Sequence, residues 1–239
     1  MQLANRRVLV IGGASGIGLG VARIAVERGA TVVLAGRSRA RLDAAATSLA
    51  RPEQVSVEEL DIANESAVRE LFSTRQDPFD HVVVTAAHAY IRPIASLPLD
   101  EARKVLDVKV LAALAVAKYG RWRENGSLTL TAGINQARPM RGVSAVAAAN
   151  GALVALGRAL AIELAPIRVN VLSPGWVDTP IWDAFGPGEK ERMMTAQAAK
   201  LPAGVVGTPT DLGHAAAFLM ENAFVTGTVL EVDGGHRLV

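Results

Sequence analysis

The chain has 239 residues, half of them hydrophobic but only 4% aromatic, with 25 basic and 23 acidic side chains. This length fits one large domain over residues 1–239, with a core built from aliphatic side chains. The net charge of +2 gives no basic surface for a nucleic acid, and the absence of cysteine excludes disulfides and thiol chemistry.

The sequence also predicts where the protein resides. No 18-residue apolar run is free of charged or turn residues, so we expect no membrane span. Residues 1–7 lead directly into a strand, without the separate apolar stretch of a secretion signal. We therefore predict a cytoplasmic protein, and we expect no metal site.

The first predicted elements are a strand over residues 8–11, a glycine turn and an amphipathic helix that ends near residue 28. This context makes the glycines typical of a dinucleotide-binding turn. Gly12 allows the tight turn, Gly16 lets the backbone approach a pyrophosphate, and Gly18 lets the helix pack closely on the strand. The phosphates would lie at the helix N-terminus, which favours anions. The alternative is a glycine-rich turn without a ligand.

The rest of the chain alternates between strands and helices, which predicts an α/β fold with a doubly wound, parallel, seven-stranded sheet flanked by helices. The further predicted strands cover residues 31–35, 55–60, 81–84, 128–130, 167–172 and 229–232. The further predicted helices cover residues 40–50, 66–75, 100–119, 144–164 and 208–221. One irregular insertion, residues 179–206, is placed to form a lid, because ligands bind beyond the carboxyl ends of such strands.

Four features, in this order along the chain, resemble the short-chain dehydrogenase/reductase family. They are the glycine turn, Asp61 after the third strand, the segment 174–179 with its Pro-Gly and Thr, and the Asp-Gly-Gly at 233–235. The resemblance covers essentially the whole chain. It implies a single-domain Rossmann fold, a bound NAD(P), a small-molecule substrate, and assembly into a homodimer or homotetramer.

The resemblance also implies which residues bind the cofactor. After the second strand, Gly36 stands where an acidic residue would hold the ribose of NAD(H), and Arg37 and Ser38 follow. A guanidinium binds phosphate well, so we expect NADP(H) in preference to NAD(H), unless Arg37 is an ordinary solvated side chain. Thr179 would bond the nicotinamide amide, and the alternative is that a Thr before Pro180 serves only the turn. The full implied set is Gly12, Ala14, Ser15, Gly16, Ile17, Gly18, Arg37, Ser38, Asp61, Ile62, Ala86, Ala87, Asn150, Pro174, Gly175, Val177 and Thr179.

The catalytic positions of the family are not kept. The family uses an Asn, a Ser and a Tyr-x-x-x-Lys pair, in which the Tyr gives its proton to the substrate. Here Val146 aligns with the Tyr and Asn150 with the Lys, while Gly133 aligns with the Ser and Lys109 with the Asn. Valine has no proton to give, so the usual mechanism cannot operate.

Three other residues are candidate proton donors. His88 carries an imidazole, a group that can serve as a general acid, and Tyr90 follows in the same loop. Burial would lower the pKa of Lys109. The alternatives are that His88 is a loop histidine with satisfied hydrogen bonds and that Lys109 pairs with Asp107 or Asp100. Polar residues after the fifth strand, which could bind a polar substrate or be ordinary loop polarity, are Asn135, Gln136 and Arg138.

Three functions follow from these features. The first is an NADP(H)-dependent oxidoreductase that reduces a carbonyl or activated double bond with a non-standard proton donor, and the prior from family resemblance favours it. The second is a catalytically inactive NADP-binding sensor or structural subunit. The third is a non-redox enzyme of the lyase type. Two helices also carry apolar residues at helical spacing that could meet a second copy: Leu106, Val110, Leu114, Ala145, Ala149, Leu153 and Leu156.

Overall fold

A computed structural model describes residues 3–239, so Met1 and Gln2 of the predicted N-terminal segment lie outside it. Seven strands form one parallel sheet in the order β3-β2-β1-β4-β5-β6-β7, which confirms the predicted doubly wound architecture. The strands are β1 (Arg7–Ile11), β2 (Thr31–Gly36), β3 (Val55–Glu59), β4 (Phe79–Val84), β5 (Trp122–Thr131), β6 (Arg168–Pro174) and β7 (Val229–Val232).

Helices cover both faces of the sheet, and most of their bounds lie within two residues of the predicted ones. They are α1 (Gly16–Glu27), α2 (Arg39–Thr47), α3 (Glu65–Ser73), α4 (Leu99–Leu106), α5 (Ala112–Tyr119), α6 (Ser144–Glu163), α7 (Pro187–Ala198) and α8 (Pro209–Glu221). Helix α8 begins with a capping box between Thr208 and Asp211, with Pro209 at its first position.

The sheet is apolar on both faces, as a parallel sheet covered by helices must be. In β1, Leu9 and Ile11 belong to one core cluster and Val8 and Val10 to the other. The strand alternates between the two clusters because successive side chains point to opposite faces. Burial on both faces fixes the register between neighbouring strands, and the register determines which residues lie at the carboxyl ends of the strands.

Two glycines hold the turn after β1 against the sheet. Gly12 has a φ of +92°, and a Cβ there would lie 2.6 Å from Thr85 Oγ1 and 2.7 Å from the Ala86 nitrogen. A Cβ at Gly18 would overlap the carbonyl oxygen of Gly12. Helix α1 can therefore rest directly on the end of β1 only with these glycines.

Two predicted elements are wrong in detail. The predicted helix 100–119 is divided by a π-helical segment, Asp107–Leu111, which lies between α4 and α5. The predicted irregular insertion 179–206 contains a turn of 3₁₀-helix over Pro180–Phe185 and then all of α7. Its Gly-Pro-Gly stretch is typical of a loop, yet Pro187 starts the helix at a position where proline is favourable.

Helix α6 has the length and composition of a membrane span, within the part of the chain that the structure describes. It packs along β6, and its Leu153, Gly157 and Leu160 are buried. An apolar helix is also what a covered parallel sheet requires.

Candidate functional site

One large cavity of about 710 Å³ opens at the carboxyl ends of the strands. It lies beside the neighbouring strands β1 and β4, between which the order of the strands in the sheet reverses direction. This is the place where ligands bind in doubly wound sheets. All seventeen residues of the implied cofactor set lie on its wall, and so do His88, Lys109, Gly133 and Val146. Residues from distant parts of the sequence are thus brought together around a single space.

The N-terminus of α1 faces this cavity. Ser15 is the N-cap residue, with extended backbone, and its side chain does not cap the helix. The first N–H groups of the helix therefore keep no side-chain acceptor, and together with the helix dipole they favour an anion. The Ser15 hydroxyl instead accepts a hydrogen bond of 3.1 Å from Arg41 Nη2.

One end of the cavity is basic. Arg37, Ser38 and Arg41 line it, and the backbone N–H of Arg41 donates to Ser38 Oγ at 3.4 Å. Sequence reasoning missed Arg41, because nothing in the sequence separates it from Arg39. The structure separates them, because Arg39 binds Asp43 one turn along the helix and is absent from the cavity wall. Two guanidiniums and a hydroxyl fit a phosphate ester at this end.

Lys109 lies in the π-helical segment at the opposite end of the cavity. Its Nζ donates to the carbonyl oxygens of Thr131 and Ala132, at 3.0 and 3.1 Å, and to Asn150 Oδ1 at 2.9 Å. The predicted alternative of an ion pair with Asp107 or Asp100 is wrong, since all three acceptors are uncharged. Burial lowers the pKa of Lys109 to about 8.

These contacts also bear on Lys109 as a proton donor. All three ammonium hydrogens point at protein acceptors, so a substrate could be reached only after one of those bonds breaks. The geometry favours a positioning role. The π-helical geometry accompanies this inward-facing lysine, as π-bulges often do at functional sites.

His88 lies on the cavity wall, and its Nε2 is 2.8 Å from Glu101 Oε2. Bonds from Lys104 and then from His88 hold the pKa of the Glu101 carboxyl below its usual value. An ionised carboxylate only accepts hydrogen bonds, so His88 Nε2 carries a hydrogen and Nδ1 is left for other partners.

Tyr90, the other predicted donor in this loop, is not on the cavity wall. Its ring stacks on His88 at a centroid distance of 6.3 Å, and the Arg92 guanidinium lies over it. The sequence placed it correctly in the loop but could not show which way the ring turns. Of the polar residues after β5, Asn135 lines the cavity, Gln136 bonds Glu231, and Arg138 is off the wall.

The walls beyond Lys109 and His88 are apolar and aromatic. The rings of Trp176 and Trp182 stack at 4.5 Å and 5°, and Trp182 Nε1 donates to the carbonyl oxygen of Val177 at 2.9 Å. This bond holds the indole in place above the cavity. The other apolar side chains here are Ile91, Ile134, Met140, Val143, Val146 and Ile181.

An ion-pair cluster ties the predicted lid to the segment after β6. Lys190 in α7 binds Asp178 Oδ1 at 2.8 Å and Asp183 Oδ1 at 2.9 Å. Asp178 directly precedes Thr179, which contributes to the cavity wall. These ion pairs hold α7 close to the place where the resemblance puts the nicotinamide.

A family model described as enoyl-(acyl carrier protein) reductase matches residues 12–237. The chain belongs to the short-chain dehydrogenase/reductase family. A curated relative, the short-chain dehydrogenase/reductase ATR9 of Stachybotrys chlorohalonatus, is 31% identical over 99% of this chain and 98% of its own length.

Two solved structures of the family are similar over nearly their whole length. The MalC reductase/Diels-Alderase of Malbranchea aurantiaca has a TM-score of 0.90 at 31% identity and covers 99% of this chain and 98% of its own. A small-chain dehydrogenase in complex with NADPH has a TM-score of 0.83 at 31% identity and covers 98% of this chain and 100% of its own. The family acts on small molecules with nicotinamide cofactors, so the cavity is the candidate active site.

Proposed function

We propose that this protein is an NADPH-dependent reductase of a carbonyl or activated double bond in a largely apolar small molecule. The proposal rests on how charged, polar and aromatic side chains are distributed along one continuous cavity. It has two guanidiniums at one end, and at the other a histidine–glutamate pair beside an aromatic wall.

The cofactor site fits NADPH on the chemistry of its residues. Arg37, Ser38 and Arg41 would hold the 2′-phosphate, and the free N–H groups at the start of α1 would hold the pyrophosphate. Thr179 and Asn150 would bind the nicotinamide end. The bound cofactor supplies a hydride. The similar small-chain dehydrogenase in complex with NADPH supports the same choice.

His88 is the proposed proton donor. It lies on the cavity wall, and Glu101 fixes the orientation of its ring through Nε2. Val146 cannot donate a proton, and Tyr90 is not on the cavity wall. All three ammonium hydrogens of Lys109 are hydrogen-bonded to protein acceptors. Because Nε2–H is bonded to Glu101, the proton that reaches the substrate would leave from Nδ1 of the doubly protonated ring, which then remains as neutral imidazole. An imidazolium is an effective general acid near neutral pH.

The proposed substrate is planar and apolar around the reacting group. Trp176 and Trp182 offer a rigid aromatic surface, and Val146 replaces a polar side chain of the family with a methyl-bearing one. An aromatic ketone or a conjugated enone would bury its ring there and keep one oxygen near His88.

The test is loss of NADPH absorbance with a panel of aromatic ketones and conjugated enones, matched to saturated aliphatic ketones. We expect turnover with planar members of the panel, and replacing His88 by Gln should lower kcat about a hundredfold or more. The matched control is Tyr90→Phe, which should change kcat by less than about threefold because the ring is off the wall. Turnover that Tyr90→Phe abolishes and His88→Gln leaves intact would contradict the assignment.

A second function is favoured by one neighbour. The similar Malbranchea aurantiaca protein is named a Diels-Alderase as well as a reductase. A cycloaddition needs no proton donor, only an apolar surface that holds the reacting atoms, and the stacked tryptophans offer such a surface. Product formed without NADPH consumption, and unaffected by His88→Gln, would establish this function in place of the reductase. NADPH binding without any turnover would favour a sensor.

We further propose a cytoplasmic homodimer or homotetramer. Leu106, Leu111 and Leu114 on the α4–α5 face are 39%, 56% and 41% exposed, which is unusual for neighbouring leucines on one helix face. Of the α6 residues that the sequence analysis placed at a possible contact with a second copy, Ala149 and Leu153 are instead buried within the protein. Light scattering should give twice or four times the chain mass, and a monomer would contradict this.

A further inference from the structure

The Lys109 ammonium lacks a counter-ion in the part of the chain that the structure describes. It is only 7% exposed, and its three hydrogen-bond acceptors are two carbonyl oxygens and the amide oxygen of Asn150. Burial is the one cause that lowers its pKa, with no contribution from a carboxylate. A positive charge is therefore held in the wall of the cavity by dipoles alone.

The elements packed against this segment do not supply the missing negative charge. Its neighbours are α4, α5 and α6, and β5 supplies the carbonyl oxygen of Thr131. Their ionisable side chains are Asp100, Glu101, Arg103, Lys104, Lys118, Tyr119, Arg123, Glu124, Arg158 and Glu163, with Asp107 on the segment itself. None of them bonds Lys109, and Glu101 is already bonded to Lys104 and His88. His88 is the other ionisable group at this end of the cavity.

Asn150 extends the effect of the charge into the cavity. Since an ammonium only donates hydrogen bonds, Oδ1 of the amide must face Lys109 and Nδ2 must face the other way. Asn150 is 2% exposed, and its Nδ2 lies 3.0 Å from the position of a Cβ at Gly133 on the cavity wall. No described residue accepts a hydrogen bond from Nδ2. The amide thus presents an unused, positively polarised N–H group toward the cavity.

We propose that the Lys109–Asn150 pair makes this end of the cavity select the neutral, reduced nicotinamide over the cationic, oxidised one. The inference rests on the proposed NADPH site and goes beyond it, because it assigns a redox preference to two residues. The ring of NADP⁺ carries a positive charge and that of NADPH carries none. An uncompensated ammonium repels the first and leaves the second unaffected, and low local polarity strengthens the effect.

The experiment is calorimetric titration of the full-length protein with NADPH and, separately, with NADP⁺. At about pH 6.5, where Lys109 is charged, we expect NADPH to bind about tenfold more tightly or better. The ratio should fall as the pH rises through the Lys109 pKa of about 8. NADP⁺ binding near that pH should release a proton, which titrations in buffers of different ionisation enthalpy would detect.

Two variants remove the net charge in different ways. Lys109→Gln keeps an N–H donor for the carbonyl oxygens of Thr131 and Ala132, and Asn150→Asp keeps the side-chain volume and places a carboxylate on the ammonium. Both should bring the two affinities within about threefold of each other. The control is Lys118→Met, which removes the same charge from a side chain that is 63% exposed, and it should leave the ratio unchanged.

The outcomes are distinguishable. Suppose that both nucleotides bind, and that the ratio of their affinities changes neither with pH nor in Lys109→Gln and Asn150→Asp. The proposed redox preference is then wrong, whereas the proposed cofactor site is retained. If neither nucleotide binds the wild-type protein, the proposed cofactor site fails and this inference fails with it. If one variant does not fold, the other still decides the question, together with the pH series on the wild type.

Discussion

Lys109 and Asn150 are bonded to each other across the end of the cavity, with 2.9 Å between Nζ and Oδ1. The resemblance puts these residues at the positions of the family's catalytic Asn and Lys, respectively. On this alignment, which stays a prediction, the two residue types have exchanged places. The structure shows that an amide and an ammonium are in contact here.

The exchange predicts that the two positions are energetically coupled. Asn150→Lys alone puts a second ammonium against Lys109 and should lower the free energy of unfolding by about 3–5 kcal/mol. The double variant Lys109→Asn with Asn150→Lys restores one cation and one amide, so it should be more stable than the sum of the single effects by about 2 kcal/mol. Urea unfolding of the four proteins measures this, and additive effects would refute the coupling.

Cofactor preference should depend on Arg37 and Arg41 and not on their neighbour Arg39. Loss of a charge-assisted hydrogen bond costs about 1.5–3 kcal/mol, so Arg37→Ala and Arg41→Ala should each weaken NADPH binding about 10- to 100-fold. Arg39→Ala should have almost no effect, because Arg39 binds Asp43 outside the cavity. NADH binding should be insensitive to all three substitutions. Equal losses for the three arginines would indicate only a general effect of charge.

Two glycines in different surroundings should respond oppositely to alanine. A Cβ at Gly18 overlaps the carbonyl oxygen of Gly12, so Gly18→Ala should cost about 3 kcal/mol or more and distort the turn below the cavity. Gly151 lies inside α6 with no atom within 4 Å of a Cβ, so Gly151→Ala should stabilise the protein by about 0.5–1 kcal/mol. The measurement is the thermal unfolding midpoint of each variant, which should fall for Gly18→Ala and rise for Gly151→Ala. A harmless Gly18→Ala would mean that α1 does not rest on β1 as described.

Stability should fall in mild acid because of His81. Burial lowers the pKa of this histidine to about 4, from an ordinary value of 6.5, and its Nδ1 lies 2.8 Å from Ser127 Oγ. Between these two values the unfolded chain binds a proton that the folded chain does not. The free energy of unfolding therefore decreases as the pH falls from 6.5 to 4, by up to about 3 kcal/mol from this group.

The variant His81→Asn isolates that contribution, since it keeps a side-chain partner for Ser127 and cannot take up a proton in this range. Urea unfolding at about pH 7 and about pH 4.5 should show a smaller difference for the variant than for the wild type. The carboxylates that also titrate are common to both proteins. An unchanged difference would mean that His81 is accessible to water in the folded state.

The sheet and the edge that carries the cavity were predictable, because both follow from the hydrophobic periodicity of the elements and from the glycine and proline residues that end them. Alternating strands and helices favour parallel strands, and the glycine turn marks where the first strand ends. Residues as far apart as Gly12 and Gly175, which the sequence predicts to share one cofactor site, line the same cavity. These inferences use local sequence patterns, which can be recognised without knowing the tertiary contacts.

The contacts within the cavity were less predictable. The partners of Lys109 include two backbone carbonyl groups, whose positions do not depend on the type of side chain at those residues. One belongs to Thr131 at the end of β5 and the other to Ala132 directly after it, about twenty residues further along the chain. Arg41 resembles Arg39 in sequence, and the pairing of Arg39 with Asp43 separates them only once the helix has formed. The direction in which the Tyr90 ring turns likewise depends on packing.

The most direct test of the proposed NADPH site is a calorimetric titration of the purified protein with NADPH and, in parallel, with NADH. We predict saturable NADPH binding at one site per chain, at least about tenfold tighter than NADH binding, since the 2′-phosphate would meet two guanidiniums. Binding of neither nucleotide, or tighter binding of NADH, would contradict the proposed NADPH-dependent reductase.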